Sequence, residues 1–290
     1  MNASERIERG ASLAGKFRFA EAEEEFRAAL QLDPVSLDAR TRLARLLILK
    51  NTEESLRLSD EVLSREPAHA EALALKGICF FTQGKYPEAI ECLQKARSIK
   101  PQPGMIDGVL ARALRKTGDL NGAEEAARKA IQSDPHNYEA FSELSFVLVQ
   151  KGRVQEGILK MLEAVRINPL FAKGYLILAE LYHRAKQETL AIRICREGLK
   201  HSPDVIPLHE LLMTLLAAQG DFKGAYVEGV ETAIRRQSGK DYILLGDLAV
   251  RLNDHEHALL AYQRALSVEP LNRIANERLA HFQKGGDPGT

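Results

Sequence analysis

The side chains able to perform acid–base, nucleophilic or metal chemistry are scattered along this sequence. Two of its eight histidines, His255 and His257, lie close together, but two residues apart on a helix they project about 200° apart. That geometry is poor for one metal ion, and we interpret the cluster as a solvated turn. The cysteines are odd in number, without metal-motif spacing, and on apolar helix sides, where we expect small buried hydrophobes: Cys79, Cys92 and Cys195.

The motifs of common enzyme classes are missing. The sequence contains no GxSxG, no glycine-rich phosphate loop, no HExxH and no CxxC. We therefore expect no enzymatic activity, no cofactor and no metal. The 40 basic and 40 acidic residues balance, which does not favour nucleic acid as a partner. No secretory h-region opens the sequence and no apolar run approaches the roughly 20 residues that span a bilayer, so we expect a cytoplasmic protein without membrane insertion.

Prolines divide the chain at a nearly constant interval. Each follows the end of an apolar-periodic segment, and proline biases the residue before it away from helical geometry. The interval therefore predicts a unit of about 34 residues that ends in a helix stop. The prolines are Pro34, Pro67, Pro101, Pro135, Pro169 and Pro203, with Pro270 two units further on.

Each unit contains two amphipathic segments joined by a short turn. Glycine stands in several of these turns, for example at Gly84 and Gly118, where it supplies the positive φ that ends a helix tightly. Small residues recur at matched places on both segments, as at Gly77 and Ala89, and small side chains allow two helices to approach closely. The pattern predicts stacked helix–turn–helix hairpins.

These columns resemble the tetratricopeptide repeat (TPR) family from Ala3 to about Asn272. The resemblance implies an all-α, right-handed superhelical solenoid of about eight repeats, forming a single domain over residues 1–283. We expect a capping helix at 271–283 and a disordered tail at 284–290, and a soft or bent seventh repeat, which lacks its closing proline. The repeats are predicted at 3–36, 37–69, 70–103, 104–137, 138–171, 172–205, 206–238 and 239–272.

The resemblance also implies where to look for a binding site. In proteins of this family the first helix of each pair lines a concave groove, an extended surface typical of such arrays. At the matching positions, apolar residues alternate with arginines through the central repeats. The candidate groove residues are Arg45, Ile78, Phe81, Arg112, Arg115, Lys116, Phe146, Val149, Glu180 and His183.

This mixture favours a partner segment that carries acidic and hydrophobic residues. Arginine offers a bidentate fork to a carboxylate, and phenyl rings supply apolar area. The alternative is that Ile78, Phe81 and Phe146 pack against neighbouring helices while the arginines are solvated. Repeats that grip chaperone C termini place Lys and Asn at the fifth and ninth positions. No fifth position here is Lys and no ninth is Asn, so we do not expect that specificity, nor the asparagine ladder of a related sugar transferase.

The function that we predict is a non-enzymatic adaptor that holds a partner segment, by analogy within a bacterial secretion, pilus or envelope assembly. One alternative is a self-associating scaffold, or homo-oligomer, that uses apolar residues of the last helix: Ile274, Leu279 and Phe282. The other alternative is the sensor or regulatory arm of a larger protein.

Overall fold

The computed structural model describes residues 1–99 and 105–283, and these two ranges contain helices and turns but no strand. The all-α prediction is confirmed. Pro101, the tail at 284–290 and the side chain of Phe282 lie outside what the structure describes. The helices are α1 (Ala3–Gly15), α2 (Phe19–Leu32), α3 (Leu37–Leu47), α4 (Thr52–Arg65), α5 (Ala70–Thr82), α6 (Tyr86–Ile99), α7 (Met105–Thr117), α8 (Leu120–Ser133), α9 (Tyr138–Gln150), α10 (Val154–Ile167), α11 (Ala172–Arg184), α12 (Glu188–His201), α13 (Ile206–Ala218), α14 (Phe222–Arg236), α15 (Gly239–Arg251), α16 (His255–Val268) and α17 (Arg273–Gln283).

The α5–α6 hairpin shows how the sequence builds a repeat. α5 begins after His69, whose Nδ1 accepts a hydrogen bond from the backbone N–H of Ala72 at 3.1 Å. At Gly77 the two helices approach so closely that a Cβ would stand 2.7 Å from Cγ of Leu93 and 3.2 Å from the carbonyl oxygen of Ala89. A residue without a side chain is therefore needed where the hairpin closes.

The turns inside the hairpins adopt left-handed backbone geometry with and without glycine. Gly84, Gly118, Gly152 and Gly220 have φ between 76° and 89°, as their positions in the sequence predict. The equivalent turn position is taken by a residue with a side chain in three other repeats: Phe17, Lys186 and Asn253, with φ of 55° to 60°. Such geometry is unusual for a bulky residue such as Phe17.

The contacts of the chain fall into two compact units, Met1–Lys160 and Met161–Thr290. In unit 1, the first helices of successive repeats (α1, α3, α5, α7 and α9) lie side by side, and each second helix packs between its own first helix and the next. The core of unit 1 is filled by leucines and alanines from both helix sets. Leu43, Leu75, Leu110 and Leu144 are each at most 1% exposed.

Repeat 2 departs from this regular build. α3 has 11 residues, whereas α1 and α5 each have 13, and the chain turns after Leu47 until Asn51 caps α4. The hydroxyl of buried Ser55 donates to the carbonyl oxygen of Ala44 at 2.7 Å. A serine therefore fits among the small residues of the second helix because its hydroxyl is hydrogen-bonded.

One ion-pair arrangement occurs twice in unit 1, at the same place in the repeat. Glu23 on α2 accepts from Lys50 Nζ at 2.8 Å, and Glu124 on α8 accepts from Lys151 Nζ at 2.7 Å. Glu124 also pairs with Arg153 at 2.9 Å. Each carboxylate thus links a second helix to the turn of the following repeat.

Unit 2 contains a buried histidine in a comparable linking position. Nδ1 of His209 lies 2.6 Å from Oε2 of Glu228, and Nε2 lies 2.8 Å from the carbonyl oxygen of Pro203. The imidazole therefore connects α13 to α14 and to the loop that precedes α13.

In the α15–α16 hairpin, Gly246 allows α15 to approach the buried ring of Tyr262, whose hydroxyl donates to Asp247 at 2.7 Å.

The last helix of unit 2 packs one side against the hairpin before it. Ala275 on α17 is buried, and Leu279 packs against the cluster that contains Ala249 and Tyr262. Ile274 is 55% exposed. The softness of the seventh repeat and self-association through α17 stay predictions.

Candidate partner-binding surface

Seven of the predicted site residues come together on neighbouring first helices of unit 1, and we call them the first-helix surface. They occupy one face of α5, α7 and α9, because residues four and three apart on a helix share a face. Each is half-buried or exposed. The residues are Ile78, Phe81, Arg112, Arg115, Lys116, Phe146 and Val149.

Phe81 forms the apolar part of this surface beside α7. Its ring is half-buried against the core of unit 1 and lies 5.6 Å from the ring of Tyr86, centroid to centroid. The guanidinium carbon of Arg112 stands 5.1 Å from the Phe81 centroid, within the range of a cation–π contact. The ring thus supports the guanidinium group of Arg112, whose N–H groups make no hydrogen bond within the described ranges.

Arg115 differs from Arg112 because its guanidinium forms an ion pair inside the protein. Its guanidinium pairs with the carboxylate of Glu143 on α9, with Nη2 at 3.3 Å from Oε2. The two side chains are 15% and 6% exposed. The same guanidinium lies 5.2 Å from the Phe146 centroid. Arg115 therefore joins α7 to α9 and is not free to bind a partner's carboxylate.

Arg112 and Lys116 are the cations left over on this surface. They lie one helical turn apart on α7, so they share a face. Neither has a carboxylate oxygen within 4.0 Å among residues 1–99 and 105–283. Two adjacent positive charges that have no ion-pair partner among the described residues favour the binding of anions at this part of α7.

Arg45 lies apart from the first-helix surface. It pairs with Glu71 on α5 and lines an apolar pocket between repeats 1 and 2, with a volume of about 660 Å³.

The two predicted site residues of unit 2 differ from each other in exposure and partners. Glu180 on α11 is exposed, and Nδ1 of His183 lies 2.8 Å from Oε2 of Glu188.

Two important residues were not predicted from the sequence, Glu143 and Tyr86. Glu143 stands among buried α9 residues such as Ala140, Leu144 and Val147. A carboxylate inside an apolar helical periodicity is a signal that a buried cation must lie nearby, since an unpaired buried charge is costly. That signal predicts a cation near Glu143, and the structure identifies the cation as Arg115.

Two of the three cysteines are buried as the sequence predicts, but the third, Cys92, is not. Cys79 and Cys195 are fully buried, and Cys92 is half-buried. Burial raises the pKa of the Cys195 thiol to about 12 and also raises the pKa of Cys79 and Cys92. A thiol that stays protonated is a poor nucleophile. In the described part of the chain no three His, Cys, Asp or Glu side chains are grouped to hold a metal ion.

None of the helices in the described ranges combines the length and apolar character needed to cross a bilayer. The longest of them, α14, has 15 residues, whereas a spanning helix needs about 20.

Comparisons with known proteins agree with the repeat architecture. The "Tetratricopeptide repeat" family descriptions match residues 70–103, 109–170 and 243–282. A probable UDP-N-acetylglucosamine–peptide N-acetylglucosaminyltransferase SPINDLY from Hordeum vulgare is 31% identical over 184 residues. That match covers 60% of this chain but 19% of the barley protein, so the chain spans about a fifth of this relative's length.

Solved structures show the same fold. The C-terminal part of a TPR repeat-containing protein from Cytophaga hutchinsonii superposes with a TM-score of 0.68 at 16% identity, covering 82% of this chain and 99% of that one. YrrB, described as a TPR protein with an unusual peptide-binding site, has a TM-score of 0.51 at 18% identity and covers 63% of this chain and 95% of its own.

Proposed function

Because the chain is a tetratricopeptide-repeat protein, we propose that it is a non-enzymatic scaffold whose first-helix surface holds a segment of a partner protein. TPR proteins mediate protein–protein interaction, and YrrB is described as having a peptide-binding site. In this protein, the residues proposed to contact the partner lie on α5, α7 and α9 of unit 1.

The observation that carries the proposal is the state of Arg112. Its guanidinium rests on the Phe81 ring and has no carboxylate partner in the described part of the chain. A planar guanidinium held in one place can receive a carboxylate through two parallel hydrogen bonds. Lys116 adds a second positive charge on the same face, and the Phe81 and Tyr86 rings offer apolar area beside it.

These features define the chemistry of the partner segment. It should carry an acidic residue that reaches Arg112 and Lys116, and a neighbouring apolar residue that covers the exposed part of Phe81. Arg115 contributes by holding α7 and α9 together through Glu143, which fixes the positions of the residues around it. We therefore retain the acidic and hydrophobic partner predicted from the sequence, with Arg112 as the residue that binds its carboxylate. Arg115 is no longer a binding residue in this proposal, because it pairs with Glu143.

The test is a binding measurement with peptides selected on the wild-type chain from a random-peptide library. We expect acidic residues in the selected peptides, and at least about a tenfold loss of affinity for the Arg112→Gln/Lys116→Gln variant, since a charge-assisted contact of about 1.4 kcal/mol is worth that factor. Fluorescence anisotropy of labelled peptides provides the dissociation constants.

A matched control removes two cations elsewhere in unit 1. Lys95 and Lys129 are exposed on α6 and α8, each paired with a glutamate one turn away, so Lys95→Gln/Lys129→Gln causes the same change in net charge. Binding unchanged in the Arg112 variant, or equally weakened in both variants, contradicts the proposal. A double charge reversal, Arg112→Glu/Arg115→Glu, would be a poorer test, because Arg115→Glu places a second carboxylate beside Glu143.

The cytoplasmic setting and the link to a secretion, pilus or envelope assembly stay predictions. The same holds for self-association and for a regulatory arm of a larger protein.

A further inference from the structure

The apolar pocket between repeats 1 and 2 lies away from the first-helix surface and has no role in the proposed function. It is formed by the ends of α1 and α2, by α3 and by the turn after α3, with Ala14, Ala20, Phe26, Leu46 and Ile48 in its walls. Its volume of about 660 Å³ lies in the range of sites that enclose a ligand or an anchoring side chain, about 300–1,000 Å³.

The origin of the pocket is the short first helix of repeat 2. α3 ends at Leu47 after 11 residues, so the turn at residues 48–51 stands where the final turn of a full-length helix would pack. Leu49 in that turn is 87% exposed. The alanines of α1 are too small to fill the space, and the pocket stays open to solvent.

Aromatic rings stand at the mouth of the pocket. Phe19 lines it and is 51% exposed, and Phe17 beside it is 81% exposed. Their rings meet edge to face with centroids 6.0 Å apart. Phe17 occupies a left-handed turn position, with φ of 60°, which glycine fills in four other repeats. A bulky residue is unusual in such a position, and the exposed face of the ring is available to contact a partner.

Two ion pairs at the pocket, Arg45–Glu71 and Lys50–Glu23, leave the cation more exposed than its carboxylate. The pocket lining contains three cations, Arg42, Arg45 and Lys50, and one anion, Glu23. The cations do pair within the protein, with Asp38, Glu71 and Glu23, but Arg45 and Lys50 are 56% and 69% exposed. Exposed pairs of this kind contribute little stability, so these side chains can turn to carboxylates of a bound segment.

We propose that this pocket is a second docking site, which encloses a large apolar side chain of a partner protein while Arg45 and Lys50 bind acidic residues that flank it. The site does not depend on the Arg112 surface. Together the two sites would let unit 1 engage a partner at two places, or two partners at once, and linked contacts raise the overall affinity.

The chain contains no tryptophan, which provides a direct test. The probe is a short synthetic peptide with one tryptophan between glutamates, whose fluorescence is then the only tryptophan emission in the sample. We expect a blue shift that saturates with a Kd of about 0.1–1 mM, the affinity that burial of one indole side chain can supply. The peptide with lysine in place of each glutamate should bind at least tenfold more weakly.

Two variants locate the site. Ala20→Phe places a ring in the pocket and should weaken binding of the glutamate peptide at least tenfold. Gln155→Phe is the matched control, because Gln155 is exposed at the same place in repeat 5, and it should leave binding unchanged. Phe17→Gly removes the ring that supports Phe19 and should weaken binding about threefold without loss of stability.

Several outcomes overturn the inference. They are the absence of a blue shift, equal binding of the lysine peptide, and a shift that survives Ala20→Phe. A shift lost in Arg112→Gln/Lys116→Gln but retained in Ala20→Phe assigns the peptide to the first-helix surface, which supports the proposed function and not this one. Dimerisation that Ala20→Phe abolishes in sedimentation experiments assigns the pocket to a contact between copies of the chain.

Discussion

Two regions of unit 1 are built from the same repeat but use their residues differently. In the central region, α5–α9, leucines and alanines pack between the helices, and Arg115 forms a buried pair with Glu143. In the N-terminal region, α1–α4, a short helix leaves a pocket open, and aromatic rings and charges remain at the surface. In unit 1, the recurring columns of small residues therefore serve the stacking of the helices, whereas the departure at repeat 2 leaves side chains available for other contacts.

The largest contrast is expected between the two arginines that link neighbouring first helices. Arg115→Met leaves the buried Glu143 carboxylate unpaired, and breaking such a pair costs about 3 kcal/mol. Arg45→Met removes a pair in which the arginine is 56% exposed, worth less than about 1 kcal/mol. Urea unfolding followed by circular dichroism measures both free energies. Equal losses of unfolding free energy would show that the Arg45–Glu71 and Arg115–Glu143 pairs contribute alike, and would contradict the difference between the two regions.

The next contrast concerns the glycines where helices approach. Gly77→Ala in the central region brings a methyl group against Leu93 and the carbonyl of Ala89, and we expect it to lower the free energy of unfolding by about 2 kcal/mol. Gly10→Ala brings a methyl group against the ring of Phe26, which lines the pocket. We expect the ring to shift toward the pocket, so the loss should be less than about 1 kcal/mol.

The control for this pair is Gly108→Ala. A Cβ at Gly108 has no neighbour within 4 Å, and alanine is the better helix former by about 0.5–1 kcal/mol, so a small gain in stability is expected. A loss at Gly10 as large as at Gly77 would mean that the pocket gives Phe26 no freedom.

Substitutions in the turns are expected to change the free energy of unfolding by less, and in opposite directions. Gly84→Ala forces a side chain into left-handed geometry and should cost about 1 kcal/mol. Phe17→Gly removes the same strain from the turn of repeat 1 and should gain about 1 kcal/mol. Calorimetric melting temperatures of the two variants should therefore move in opposite directions. A destabilised Phe17→Gly variant would assign the ring a structural role.

The smallest effect is expected from the two carboxylates at repeat junctions. The hydrogen bond from Lys151, with further contacts to Arg128 and Arg153, lowers the pKa of Glu124 to about 2. Its stabilising contribution is full above pH about 4.5 and is lost as pH falls toward 2. We expect about 1 kcal/mol after solvent screening. The hydrogen bond from Lys50 also lowers the pKa of Glu23, with fewer partners.

Acid titration of stability measures this effect. Glu124→Gln should flatten the fall in unfolding free energy below pH about 4.5, and Glu23→Gln should flatten it less. Identical slopes for wild type and Glu124→Gln would show that the central junction does not depend on its charge.

Much of the fold could be predicted from the sequence because its signals are local. Proline stops and small-residue columns act within one hairpin, so the paired helices and the left-handed turns at Gly84 and Gly118 follow from residues close in the chain. The left-handed turn at Phe17 could not be predicted in this way. There the packing of α1 on α2 imposes a geometry that phenylalanine does not itself prefer.

The site was less predictable because it depends on which helices lie side by side. Position in the repeat predicts that Arg112 and Arg115 share one face of α7. Only the neighbouring helix α9 reveals that Arg115 pairs with Glu143. The pocket is harder still to predict. We attribute it to the shortness of α3, which has 11 residues, but its walls also include residues from the end of α1 and the start of α2.

The buried thiols have a practical consequence for measurements of motion. The raised pKa values of Cys79, Cys92 and Cys195 keep all three sulfurs protonated and slow toward maleimide reagents. A cysteine introduced at an exposed position such as Leu49 or Gln155 would react first. Pairs of fluorescent or spin labels could therefore report distances within unit 1, free and partner-bound, without removal of any native cysteine.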